Sequence, residues 1–202
     1  MCGRYYLAEQ EEEDMLEFYI RQARARAERF GVEMVSSGEI RPTNIVPVIA
    51  PDSKERKPAA YPMKWGFRHP NKDLLIYNAR SETAPEKAFY ATSTEDRRCL
   101  IPATCYYEWK KEDGKKIRYS FKPADGHLFL AGLYIRSSAE RIPCFSILTK
   151  DASEDISFIH KRMPVIIPED RIGEWLSSDN AYTDVIRIEN EPLHYQESQE
   201  GK

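Results

Sequence analysis

Cys2, Asn78, Glu108 and His160 are the residues of this chain whose types and surroundings suit covalent chemistry. The chain opens MCGRYYLAEQ. A second residue this small allows the initiator methionine to be clipped, and Cys2 would then carry an amine and a thiol on adjacent carbons. An α-amine with a pKa near 8 is neutral and nucleophilic roughly a fifth of the time around pH 7.4, against about one time in a thousand for a lysine near 10.4. Such an amine attacks an aldehyde to give a Schiff base, and the thiol can add to the imine carbon and close a five-membered thiazolidine ring. The target this chemistry asks for is an aldehyde. The bland alternative is a small buried cysteine opening a first strand, and MCG alone does not decide between the two.

Three further segments bear on the choice. In LLIYNARSET an apolar run enters a polar one where, if the backbone stays extended, Asn78, Arg80 and Glu82 share a face. In CLIPATCYYEWKK a lone carboxylate, Glu108, stands among Tyr106, Tyr107 and Trp109. Alternation puts Thr104, Tyr106 and Glu108 on one face and Cys105, Tyr107 and Trp109 on the other. Aromatic company raises a carboxyl pKa, which suits proton transfer near neutrality. In FSILTKDASEDISFIHKRMPVII, His160 precedes Lys161 and Arg162 just ahead of another strand, where a histidine can move a proton while cations hold an anion. Each segment also has a plain structural reading: a solvated strand face for Glu108, a satisfied loop histidine for His160, a strand terminator for Asn78.

The elements that must position these groups are mostly strands. A helix is predicted over Glu11 to Phe30, acidic at its start, rich in arginine toward its end and stopped by Gly31. From Ile45 onward short β-type runs follow, IVPVIA, AYPMKWGF, LLIYNA, CLIPATCYYEW, IRYSFK, LFLAGLYI, PCFSIL and PVII, with EDGK and PADGH as turns between successive strands. Helical stretches are expected near Ser153 to Phe158 and Pro168 to Leu176, and the Glu-rich tail after Ile188 reads as loosely ordered. The fold class is α+β, a single domain with a mostly antiparallel sheet that closes into a barrel flanked by helices.

Composition narrows the partners. The 202 residues are 41% hydrophobic and 31% charged with net charge −3, so one globular core is expected and no global basic field announces nucleic acid. An anionic partner must meet a local patch. The four cysteines, Cys2, Cys99, Cys105 and Cys144, make no Cys-x-x-Cys pair, no zinc pattern and no disulfide framework, which points to free thiols in a reducing cytoplasm. No N-terminal signal precedes the acidic Glu9 to Asp14 stretch and no apolar run could span a bilayer.

Taken in order, MCGRY, NARSET, the stretch from Arg98 to Glu108 with IPATCYYEW, and LTKDAS followed by IHKRMPVII resemble the signature segments of the SOS-response-associated peptidase (SRAP) family. The resemblance places the domain at residues 1–182 and leaves 183–202 as a poorly matched C-terminal segment. It implies an α+β fold around a barrel-like sheet, a monomer without cofactor, and a cytoplasmic location, on the nucleoid in a bacterium. The implied partner is single-stranded DNA containing abasic sites. After self-removal of Met1, Cys2 would link to the ring-opened deoxyribose as a thiazolidine, with lyase and crosslink-reversal activity accompanying it. The resemblance casts Asn78 as the group that orients the amine or the sugar, Glu108 as the general acid and base, and His160 as the proton donor and acceptor at the ring oxygen. Arg4, Arg80, Thr149, Lys150 and Arg162, with Lys161, would contact phosphates, and Trp65 and Phe67 would stack on bases.

Two segments depart from the family pattern. IRPTNIVPV stands where an Asn-Xaa-Ala-Pro segment is common, so Thr43 and Asn44 receive no DNA role, and RHPNKD follows WGF without a further tryptophan. A glutamine amidotransferase also begins with cysteine after MCG. There an apolar residue follows the glycine and an Arg-Gly-Pro-Asp-like loop is present, whereas Arg4 follows Gly3 here and the loop is missing. A nucleic-acid-binding barrel in which Cys2 is structural is the non-enzymatic alternative, and a protease acting on other proteins is a third.

Overall fold

The computed structural model describes residues 2–12, 14–53, 55–69, 72–136, 140–177, 181–189 and 191–198. In chain order, β1 (Tyr5–Leu7) is followed by α1 (Met15–Phe30), β2 (Gly38–Ile40), β3 (Ile45–Pro51), β4 (Pro58–Trp65), β5 (Phe67–Arg68), β6 (Leu75–Ile76) and β7 (Asn78–Arg80). Then come α2 (Ala91–Asp96), β8 (Arg98–Ala103), β9 (Cys105–Glu112), β10 (Lys115–Lys122), β11 (Leu128–Ile135), β12 (Cys144–Asp151) and β13 (Arg162–Pro164). A 3-10 turn at Glu169–Arg171, α3 (Ile172–Leu176), α4 (Ala181–Val185) and β14 (His194–Glu197) complete the fold.

The barrel closes because β12 uses both edges. Strands β11, β8, β3, β4 and β12 are neighbours in that order, and β12 returns to pair antiparallel with β11 through Gly132↔Ile147 to Ile135↔Cys144. On its other edge β12 runs parallel first to β4 and then to β7. Alternation divides the strand residues between two clusters. Val46, Val48, Ala50, Met63, Trp65, Cys99, Ile101, Leu130, Phe145 and Ile147 gather in one, which is the barrel interior. Ile49, Ala60, Leu100, Phe129, Ala131 and Leu148 point outward against Trp175, Leu176, Tyr182 and Val185 of α3 and α4. Gly132 lets β11 pass close to its neighbours, since an added Cβ would stand 2.6 Å from Ile101 Cδ1 and 3.1 Å from the Ser146 carbonyl oxygen.

A second, antiparallel sheet of order β14-β10-β9-β1-β2 packs its inner face on the same interior cluster, contributing Tyr5, Leu7, Tyr106 and Phe121. The EDGK turn joins β9 to β10 through Asp113 and Gly114, both with positive φ (48° and 76°), the geometry that a two-residue hairpin needs. PADGH also connects successive strands, but β10 and β11 do not pair, because the chain crosses there from one sheet to the other.

Helix α1 begins at Met15 rather than Glu11. The Asp14 side chain accepts from the Leu16 N–H at 2.7 Å, a cap that fixes the first turn and contributes about 1 kcal/mol. Gly31, at φ 63°, ends it as expected, and Leu16, Ile20, Ala23 and Ala27 face the core. Two further expectations are corrected. Residues 154–159 form successive turns instead of a helix, and the tail is ordered into β14, whose residues from His194 to Glu197 pair with β10 from Lys122 to Tyr119. The stretch from Pro168 divides into the 3-10 turn and α3.

Candidate active site

The pairing of β1 with β9 brings the first residues of the chain to Glu108. Tyr5 lies opposite Tyr106, and the Tyr107 N–H donates to the Arg4 carbonyl at 2.9 Å. Cys2 is fully buried in the interior cluster. Burial pushes its thiol far above the ordinary range, and the neighbouring Glu108 carboxylate pushes it further, so the sulfur stays protonated until a base takes its proton. Its Sγ stands 3.9 Å from the Arg4 carbonyl.

Asn78 reaches Cys2 from the barrel. At Gly66, with φ +90°, the chain leaves β4, makes the β5–β6 excursion and returns as β7, which takes the place of β4 beside β12. The Asn78 Nδ2 donates to the Cys2 carbonyl at 2.7 Å, and its Oδ1 is buried without a hydrogen-bond partner among the described residues.

Glu108 is 4% exposed, on the face it shares with Tyr106, so it is not on a solvated strand face. Burial raises its carboxyl pKa, and the nearby His160 opposes that rise. His160 Nδ1 lies 3.7 Å from Glu108 Oε1. The same nitrogen is 3.0 Å from the Arg162 N–H and 2.9 Å from the Arg162 carbonyl. Nδ1 accepts from the amide in one tautomer and donates to the carbonyl in the other. With its side chain 29% exposed, His160 links the buried carboxyl to solvent.

The residues expected to meet DNA divide. Trp65 is fully buried, its Nε1 donating to the Tyr77 carbonyl at 2.8 Å and its ring stacked on Phe145. Phe67 is 6% exposed and packs edge-on against Phe89 and Tyr90. Neither presents a face to a base, because the WGF segment turns inward at Gly66. Thr149 is fully buried with its hydroxyl on the Ala79 carbonyl, and Lys150 is half-buried with Nζ on the Ile188 carbonyl at 3.0 Å. Arg162 is an internal clamp: it holds Glu82 through both guanidinium nitrogens at 2.7 and 2.9 Å, and also Asp151. Arg4 pairs with Glu39 at 3.0 Å and lies over Trp109. Glu82 leaves the Asn78 face at the turn after β7 and serves Arg162 instead.

Arg80 is exposed, and beside it and Asn78 lies a cleft of about 400 Å³ that Lys72, Lys87, His69 and Phe89 also line. Lys72 and Lys87 escape sequence reasoning because only the β5–β6 excursion and the turns of 81–90 bring them together. Among the described residues no cluster of His, Cys, Asp or Glu could hold a metal ion, the cysteines are free, and no helix is long and apolar enough to cross a membrane.

Comparison with known proteins gives the same family as the motifs. A profile described as SOS response associated peptidase (SRAP) matches residues 1–198. The abasic site processing protein YoaM of Bacillus subtilis is 34% identical over 197 residues, covering 93% of this chain and 84% of that protein. The abasic site processing protein HMCES of Xenopus tropicalis is 31% identical over 157 residues, covering 62% of this chain and 46% of its own length. A crystal structure of a protein from Bacteroides thetaiotaomicron superposes with a TM-score of 0.78 at 20% identity, covering 98% of this chain and 92% of the other, and so shares the fold. The signature segments, the whole-length match and these relatives together establish that the chain belongs to the SRAP family.

Proposed function

We propose that this protein processes abasic sites, binding single-stranded DNA that carries one and linking Cys2 covalently to the opened sugar. The observation that carries the reading is the convergence of Cys2, Asn78, Glu108 and His160 from three separate segments and the chain start. Met1 is first removed by hydrolysis, with Glu108 taking a proton from the attacking water, which frees the Cys2 amine. The abasic sugar then opens. Glu108 accepts the proton of the C1 hydroxyl, the bond from C1 to the ring oxygen breaks, and His160 protonates that oxygen. The product is an aldehyde.

The amine adds to the aldehyde carbon and water leaves, giving an imine. The Cys2 sulfur then bonds to the imine carbon, the C=N pair returns to nitrogen, and the thiol proton ends on that nitrogen through Glu108. A thiol held protonated by burial suits this order, because the sulfur is not spent as a thiolate before the imine forms. Reprotonation through His160 runs the sequence backward and supports release. Arg80, Lys72 and Lys87 line the path for the flanking phosphates, while Arg4 and Arg162 brace the pocket from within.

The test is intact mass after mixing the methionine-processed protein with a single-stranded oligonucleotide bearing one abasic site. A mass equal to protein plus DNA less one water, absent for Cys2→Ala, is the expected result. No adduct under conditions where mass shows Cys2 free would sink the reading and turn attention to glutamine hydrolysis.

A further inference from the structure

Tyr106 occupies the face of β9 that carries Glu108, two residues away, and pairs across the sheet with Tyr5. It is 1% exposed and its ring stacks on Phe121 with centroids 4.8 Å apart. Its hydroxyl is buried and has no hydrogen-bond partner among the described residues. A phenylalanine would fill the same volume and keep the stack without burying an unsatisfied donor, so packing gives no reason for the oxygen. Burial holds the phenol well above its ordinary pKa, and the neighbouring Cys2 and Glu108 raise it further. The group therefore keeps its proton throughout the working pH range and offers a donor, not a base.

We propose that the Tyr106 hydroxyl is a further catalytic group that donates a hydrogen bond to the C1 oxygen of the opened sugar while the Cys2 amine displaces that oxygen as water. The proposal rests on the abasic-site reading. As the nitrogen–carbon bond forms, the carbonyl π pair moves onto the oxygen. The carbon–oxygen bond then breaks and water departs. Both protons of that water come from the amine nitrogen, relayed by Glu108, and Tyr106 gives up none. Its part is to stabilise the charge that develops on oxygen in a site from which solvent is excluded.

The experiment compares Tyr106→Phe with the parent, both methionine-processed, in three measurements. These are the single-turnover rate of crosslinking to an abasic oligonucleotide, non-covalent affinity for an oligonucleotide with a tetrahydrofuran in place of the sugar, and thermal melting. The expected result is crosslinking slowed by about tenfold, affinity unchanged, melting equal or higher, and a pH–rate profile lowered without a shift of its inflections. Crosslinking at the parental rate would overturn the proposal. So would a lower melting temperature with the rate falling only in proportion to folded protein, which would give the hydroxyl a structural role. A parent that forms no adduct would instead remove the reading beneath it.

Discussion

A carboxyl that is 4% exposed, with His160 at 3.7 Å and aromatic rings beside it in sequence, loses its water on folding and gains only partial return from the imidazole. The raised pKa of Glu108 follows from that imbalance. Because the native state holds this proton more tightly than the unfolded chain, its contribution to stability is fully present below the unfolded value near 4.3 and is lost as pH rises through the folded value. Glu108→Gln keeps the shape and removes the titration. The variant is expected to melt above the parent at neutral pH, with the gain vanishing near pH 4, while crosslinking slows on the order of 10²-fold. Melting followed against pH checks the first, and single-turnover rates the second. A variant melting below the parent at pH 7.5 would mean that the pair with His160 outweighs burial. His160→Ala should slow adduct formation and release together, and release at the parental rate would remove His160 from reversal. Glu108 was legible in sequence because one carboxylate in an aromatic run is conspicuous. Trp65 and Phe67 face inward although the sequence suggests base-stacking rings, because an aromatic beside glycine looks alike whether the chain turns inward or outward.

The loop of 152–161, which carries His160, owes its position to other elements more than to its own backbone. Ala152 N–H donates to the Lys161 carbonyl at 3.0 Å and closes the base of the loop. At its far side Phe158, half exposed, meets Tyr195 of β14 edge-on at 5.7 Å and lies under the Lys110 ammonium. The tail strand thus acts as a strap on the histidine loop. Tyr195→Ala is expected to cost about 1 kcal/mol and to speed hydrogen exchange at the amides of 156–160, leaving the barrel amides unchanged. Unchanged exchange there would show that the loop stands without the strap. Strand content and the β9–β10 hairpin were readable from alternation and from Asp-Gly. The strap was not, because the Glu-rich tail has no apolar alternation of its own and its order comes from backbone pairing with β10.

Over the whole molecule the net charge of −3 leaves DNA capture to local cations, and several arginines near the site are already engaged. Arg162 is 8% exposed between Glu82 and Asp151, so Arg162→Ala should lower stability by about 2–3 kcal/mol before any effect on DNA is read. Arg4 is bound to Glu39, and Lys150 serves the Ile188 carbonyl. Among the described residues lining the cleft beside Asn78, Arg80, Lys72 and Lys87 are exposed cations. Three phosphate contacts on a single strand give a slope of log K against log salt near −2. Neutralising two of them in Lys72→Ala/Lys87→Ala should bring the slope to about −0.7 without altering the rate of crosslinking at saturating DNA. Equilibrium binding of the tetrahydrofuran oligonucleotide across a salt series measures this directly. A slope unmoved by the double variant would place the strand elsewhere on the surface, and one lost with Arg4→Ala alone would show that DNA draws Arg4 away from Glu39.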